Sequence, residues 1–272
     1  MKKQVISRKK FNQLLEIYVA KTFPKKNSQY RFILFLELNK LKQQNSIQIP
    51  FILQYWHQAL SKTKLLDLGC GTGGATVAWS LKGVKSFGID QLEEDLRLAK
   101  LRGYSEGVSP RFILNKKLVL PIKSDTFDIV VCDQVLEHTI DLSKTVSEIK
   151  RVLKEDGIAY IDVPNRFFPL ENHYHLLFVH WYPAPVCKFI IKIANRKYFD
   201  YPVFFLSYFK LRKELIKNQL EIVATGADYI RNLNTSSIKN IVAKVLLTIG
   251  IPFYFFTPTI QFIVRKRKNN EK

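Results

Sequence analysis

Asp67, Gly69, Gly71 and Gly73 alternate through Asp67-Leu68-Gly69-Cys70-Gly71-Thr72-Gly73-Gly74. Glycine admits positive φ and lets a ligand approach bare backbone. A carboxylate facing such a loop repels a pyrophosphate and attracts an ammonium or sulfonium group. The spacing departs from the dinucleotide fingerprint G-x-G-x-x-G, because Gly74 directly follows Gly73. About 20 residues on stands Asp90, where nucleotide-binding α/β folds place an acid on ribose hydroxyls. An N-cap for the following helix is the other reading of Asp90. Imidazoles titrate near neutral pH and suit proton transfer. His138 follows Glu137, and His173 and His175 lie two apart, sharing a side with Glu171 in an extended segment. The alternatives are a histidine that caps or packs the next helix, and an ordinary surface loop.

The elements that must position these groups follow from periodicity. Lys64–Leu68 is an apolar strand, the glycines form its turn, and Ala75, Val77, Ala78 and Leu81 open a helix. The amides at such a helix start suit a polar ligand. Further strands are expected at Val84–Ile89, Arg111–Leu114, Phe127–Cys132, Gly157–Val163, Leu220–Ala227 and Thr259–Val264. Helices are expected at Leu92–Leu101, Leu142–Leu153, Phe205–Gln219 and Ser236–Ile249. Strands alternating with helices imply a doubly wound, mostly parallel seven-stranded α/β sheet. Ahead of it, Phe11–Phe23, Tyr30–Leu41 and Pro50–Leu60 read as three helices near the cofactor entrance. The expected division is an N-terminal helical extension over 1–62 and one domain over 63–272. Within that domain an aromatic-rich insertion, about 164–205, breaks the rhythm after the fifth strand.

Asp67-x-Gly69-x-Gly71-x-Gly73 resembles the first motif of class I S-adenosylmethionine-dependent methyltransferases, D/E-x-G-x-G-x-G. Leu120-Pro121-Ile122 and Phe127-Asp128 resemble that family's L-P-F-x-x-x-x-F-D, and the likeness continues through Val135-Leu136-Glu137-His138 and Arg151–Gly157. Glu155 and Asp156 stand where the family commonly has Pro and Gly. The resemblance implies a Rossmann-like methyltransferase fold with S-adenosyl-L-methionine as cofactor. It assigns cofactor contacts to Asp67, Gly69, Cys70, Gly71, Gly73, Asp90, Gln91, Asn115, Lys116, Asp133 and Gln134. The family's adenine-binding Asp falls at Lys116, which cannot accept from an amino group; Asn115 or a backbone carbonyl is the expected substitute. His138 is the first candidate for a base and His173 the second. No metal is expected, since Gln134 replaces the upstream carboxylate of the Glu-His pair in ubiquinone-pathway O-methyltransferases. The reading favours O-methylation of a small-molecule, saccharide or lipid-linked acceptor. Nucleic-acid methylation and a non-catalytic binding module are the alternatives.

Composition bounds the partners. The chain has 272 residues and 47% hydrophobic content, enough for a substantial core. Its net charge of +20 points to an anionic surface, an anionic acceptor or, less readily, nucleic acid. Cys70, Cys132 and Cys187 are not expected to pair. The N-terminus lacks the apolar stretch of a signal peptide. The expected location is the cytoplasm, with peripheral contact at the inner membrane face. Phe167, Phe168, Leu176, Leu177, Phe178, Trp181, Tyr182, Phe189, Ile190 and Ile191 form an apolar run expected to be exposed. Lys188, Lys192, Arg196 and Lys197 lie among and after them. Aromatic and basic residues so mixed suit a headgroup interface, and Pro183 and Pro185 interrupt the run before it could span.

Overall fold

The computed structural model describes residues 6–26, 28–170, 176–194, 206–233, 238–252, 254 and 257–267. The chain divides into two compact units, one of Met1–Val131 with Arg151–Gly157, the other of Cys132–Lys150 with Ile158–Lys272. The sheet has seven strands in the order β3-β2-β1-β4-β5-β7-β6. They span Lys64–Leu68 (β1), Lys85–Asp90 (β2), Arg111–Leu114 (β3), Phe127–Asp133 (β4), Leu153–Pro164 (β5), Leu220–Thr225 (β6) and Thr259–Lys266 (β7). This is the doubly wound, mostly parallel architecture that the β/α alternation implies.

In the first unit, β1 pairs with β2 in parallel, Lys64 opposite Lys85, and β2 pairs with β3, Phe87 opposite Arg111. Leu65, Leu66 and Ile89 are fully buried, as expected for strands covered on both faces. The glycine turn leads into α4 (Gly74–Leu81), and β2 leads into α5 (Glu93–Ser105). Ahead of β1 run α1 (Arg8–Thr22), α2 (Ser28–Gln43) and the short α3 (Ile49–Leu53). Ser7 caps α1 by accepting from the Lys10 amide at 3.3 Å. Phe11 and Leu15 of α1 pack on Leu98 of α5. The expected helix over Pro50–Leu60 is a correction: a π-helical turn, Gln44–Gln48, joins α2 to α3, which ends at Leu53. A proline lacks the N–H a helix interior needs, so Pro50 sits in the first turn of α3.

In the second unit, β7 runs antiparallel to both β5 and β6, with Ile158 opposite Arg265 and Leu220 opposite Lys266. It therefore lies inside the sheet, and Ile260, Phe262, Ile263 and Val264 are fully buried. The helices here are α6 (Leu142–Val152), whose first residues belong to this unit, then α7 (Ala184–Ile193), α8 (Tyr208–Lys217), α9 (Gly226–Asn232) and α10 (Ile238–Thr248). The strand expected over Leu220–Ala227 stops at Thr225. There Thr225 and Asp228 form a capping box, each side chain bonding the other's end of the first turn, and start α9. The insertion holds α7 and a 3₁₀ turn, Val179–Trp181. Ile191 is not part of an exposed run: it is buried against Val179, with Leu176, Cys187 and Ile190 partly buried around them.

Candidate functional site

The glycine loop of the first unit holds a left-handed backbone at alternate residues, with φ of 70° at Gly69, 48° at Gly71 and 82° at Gly73. The glycines serve two ends. A Cβ on Gly73 would lie 2.7 Å from Cβ of Ala99, so this position allows α4 and α5 to approach. A Cβ on Gly71 would meet only Asp95 Oδ2 at 3.8 Å and Lys40 Nζ at 4.0 Å. At Gly71 a side chain would thus meet only ordinary contacts, one with a carboxylate and one with an ammonium. That pair of charges matches the ammonium and carboxylate of an amino-acid group, which is the fit required at the methionine end of S-adenosylmethionine.

Both acids flanking the loop spend oxygens on backbone. Asp67 is 3% exposed, and its Oδ2 accepts from the Thr76 amide at 2.9 Å and the Thr76 hydroxyl at 2.6 Å. It ties the end of β1 to the first turn of α4, where carboxylates are favoured. Asp90 Oδ2 accepts from the Gly71 amide at 2.8 Å and Oδ1 from the Leu92 amide at 3.0 Å. Asp90 thus fixes the loop and serves the start of the next helix together. A carboxylate offers about four acceptor sites, which leaves capacity for hydroxyls. Cys70 is buried, its thiol raised by burial and then by Asp67 and Asp90. A Cβ on Gly88 would meet Cys70 Sγ at 2.7 Å, so the thiol packs on the second strand. Gln91 and Lys116 are exposed. Asn115 donates from Nδ2 to the carbonyls of Lys117 at 2.8 Å and Val119 at 3.3 Å, closing its own loop. Its amide donates to the Asp90 carbonyl at 2.9 Å.

Sequence reasoning missed the residues that hold this loop from the N-terminal helices. Thr72 donates to Glu37 Oε2 at 2.5 Å. Lys40 donates to Glu37 Oε1 at 2.5 Å and to Thr72 Oγ1 at 3.2 Å. Arg102, nearly fully buried, donates from Nε to the Thr72 carbonyl at 2.8 Å and from NH2 to Glu37 Oε2 at 3.0 Å. Burial alone would raise the Glu37 carboxyl, but Lys40 and Arg102 outweigh it and hold the group low. Tyr18 of α1 donates to Asp95 Oδ1 at 2.5 Å. Burial pushes the Asp95 carboxyl up, and the tyrosine bond opposes that. The one available signal was helical spacing: Glu37 and Lys40, three apart, share a face of α2.

In the second unit, β4 ends at Asp133 and the chain turns through Gln134, at φ 57°. The Gln134 amide donates to the Asp162 carbonyl at 2.9 Å, and its Nε2 to Asp162 Oδ1 at 2.9 Å. Asp162 also accepts from the Tyr160 hydroxyl at 2.9 Å and Gln261 Nε2 at 2.8 Å. Burial first, then the charge of Asp133, pushes the Asp162 carboxyl up. A 3₁₀ turn, Leu136–His138, follows. Glu137 is 0% exposed, and among the described residues neither of its carboxylate oxygens has a hydrogen-bond partner. Burial raises it to about 8, with Asp162 and Asp133 adding to the effect and only its own amide relieving it. His138 Nε2 stands 3.8 Å from Glu137 Oε1. At neutral pH the carboxyl keeps its proton and places no negative charge beside the imidazole. Glu171, His173 and His175 lie outside the described residues.

Three comparisons bear on this arrangement. A family described as a methyltransferase domain matches residues 66–161. The ubiquinone biosynthesis O-methyltransferase of Hahella chejuensis is 29% identical over 131 residues, 48% of this chain and 54% of that protein. The mitochondrial enzyme of that name from Bos taurus is 31% identical over 144 residues, 46% of this chain and 38% of that one. The chain thus spans about half the length, or less, of these curated relatives. Among solved structures, an S-adenosylmethionine-dependent methyltransferase from Clostridium acetobutylicum aligns over 87% of this chain and 99% of its own, at 16% identity and a TM-score of 0.56. The YcgJ protein of Bacillus subtilis covers 85% and 99%, at 20% identity and 0.53. These two likenesses carry the fold. Sheet order, glycine-loop geometry and the matched segment converge: residues 66–161 are similar to a methyltransferase domain, and the fold is that of the S-adenosylmethionine-dependent methyltransferase of known structure.

Proposed function

We propose that the protein transfers a methyl group from S-adenosylmethionine to an oxygen of a small molecule, with a saccharide or lipid-linked hydroxyl as the acceptor. The observation that carries the donor half is the bare Gly71 backbone between Asp95 and Lys40, its amide bonded to Asp90. The O-methyltransferase names of the relatives support the acceptor half.

When bound, the cofactor supplies an electrophilic methyl on a sulfonium whose departure needs no acid. The chain's residues supply recognition and alignment. Lys40 is proposed to pair with the donor's carboxylate: an ammonium carries three N–H donors, and two are engaged with Glu37 and Thr72. Asp95 is proposed to face the donor's ammonium, and Asp90 its ribose. Gln91, Asn115 and Lys116 are proposed to border the adenine, with Asp133 and Gln134 completing the cofactor contacts. His138 is proposed to take the proton of the acceptor hydroxyl at a ring nitrogen, a contribution of roughly 10² to 10⁴ in rate. His173 is the second candidate for that base.

Transfer of labelled methyl into a fractionated extract of the source cell tests the reading. Label in a lipid or glycan fraction, recovered as a methyl ether, supports it. Label confined to nucleic acid, or cofactor binding without transfer to any fraction, overturns it.

A further inference from the structure

The 3₁₀ turn Val179–Trp181 and α7 together build one surface with two distinct sides. Its inner side has its own small core, Val179 against Ile191, closed by Leu176, Cys187 and Ile190. Its outer side carries Leu177, Trp181, Phe189 and Ile193, exposed at 64%, 50%, 64% and 69%. Along α7 the exposed apolar residues Val186, Phe189 and Ile193 recur at helical spacing and form one stripe. Lys188 and Lys192, both exposed, border it. Trp181 is held for display: its ring meets Phe178 edge-on at 4.8 Å, and its Nε1 donates to the Arg166 carbonyl at 2.9 Å.

We infer that this platform docks on the headgroup region of an anionic lipid bilayer. Charge complementarity selects that occupant. Residues 176 to 194 contain lysines and no Asp or Glu, and the chain as a whole carries +20. A second copy would bring the same lysines face to face, a like-charge contact. Tryptophan and tyrosine beside long cations suit a boundary with one apolar and one wet side. The stripe is shallow by construction. Ten residues of α7 make about 15 Å of helix, half of the roughly 30 Å a span needs. Among the described residues no helix is long and apolar enough to cross a membrane. The geometry is that of a helix lying in the interface plane, its apolar side among the acyl chains and its lysines at the phosphates. The platform would meet a lipid-linked acceptor where it resides, and it rests on that part of the proposed function alone.

The full chain, with neither methyl donor nor acceptor, is mixed with vesicles of phosphatidylcholine alone or with added phosphatidylglycerol. Binding is followed by co-sedimentation and by tryptophan emission. Of the three tryptophans, Trp56 and Trp79 are buried, so an emission shift reports on Trp181. The expected result is binding that needs phosphatidylglycerol, weakens with salt and shifts the emission to the blue. Phe189→Ser with Ile193→Ser lowers it about tenfold or more, and Lys188→Gln with Lys192→Gln lowers it on anionic vesicles only. These side chains are exposed, so circular dichroism of the variants should match the parent; Ile193→Lys is the alternate variant should the double serine melt early. A protein that stays in the supernatant at low salt overturns the inference. So does binding unchanged in the serine and Ile193→Lys variants, or a dimer that Phe189→Ser dissociates. Methyl transfer enters none of these readouts, so the failure of either reading is separable from the failure of the other.

Discussion

The two units handle buried charge in opposite ways. In the first, the cofactor loop is held by groups that satisfy one another: Glu37 sits between Lys40 and Arg102, Thr72 bonds all three, and Asp67 and Asp90 spend oxygens on amides. In the second, Glu137 is buried with neither oxygen hydrogen-bonded among the described residues, near Asp133 and Asp162. A satisfied network fixes a shape, whereas an unsatisfied carboxyl holds its proton and stores electrostatic tension. The first unit presents a loop whose polar groups are already bonded, and the second buries a carboxyl raised by its surroundings.

The sharpest way to break that contrast is His138→Ala. Turnover should fall by roughly 10² to 10⁴ while cofactor affinity by calorimetry stays near the parent value. Loss of turnover in His173→Ala but not in His138→Ala would move the base to the insertion.

Glu137→Gln tests the tension itself. The folded carboxyl is raised to about 8 from an ordinary 4.5. The folded state therefore binds the extra proton between those values, and stability, full below about 4.5, declines as pH rises through about 8. The slope integrates to roughly 3 to 5 kcal/mol at most. Melting curves across this window should show the glutamine variant flatter than the parent, and more stable than it above pH 8. An unchanged pH profile would show that Glu137 does not carry the strain.

Asp90→Ala strikes the satisfied side. It removes charge-assisted bonds to the Gly71 and Leu92 amides as well as the proposed ribose contact. Cofactor affinity should drop roughly 10- to 10³-fold. Asp67→Ala should act differently, lowering the melting temperature through the lost Thr76 bonds as well as affinity.

The smallest effect is the most specific. Lys40→Met should weaken S-adenosylhomocysteine about tenfold and leave 5′-methylthioadenosine, which lacks the amino-acid end, unaffected. Equal loss for both would make Lys40 a support of the loop and no ligand of the carboxylate.

The donor half of the fold was legible because it is local. A strand, a glycine turn and a helix within residues 64–81 fix their own backbone, and alternation with the next strands dictates a parallel sheet. Asp67, Gly71 and Asp90 could be named because their spacing is tied to that unit. Helix α9 was not expected because Leu220 to Thr225 is strand-like and runs on into Gly226 and Ala227, where the Thr225–Asp228 box starts the helix. The place of β7 between β5 and β6 was equally hidden, since an apolar run does not encode its neighbours.

By itself the sequence determined the glycine loop, the carboxylates at its ends and the α/β order, because each depends on residues close along the chain. Tertiary structure alone decided that Glu37 and Lys40, some thirty residues upstream of Thr72, would reach the loop with Arg102. It also decided that Glu137 would lie buried with its carboxylate oxygens not hydrogen-bonded among the described residues, while Phe189 and Ile193 face outward. Burial and charge pairing are properties of what the fold brings near, and no spacing along the chain states them.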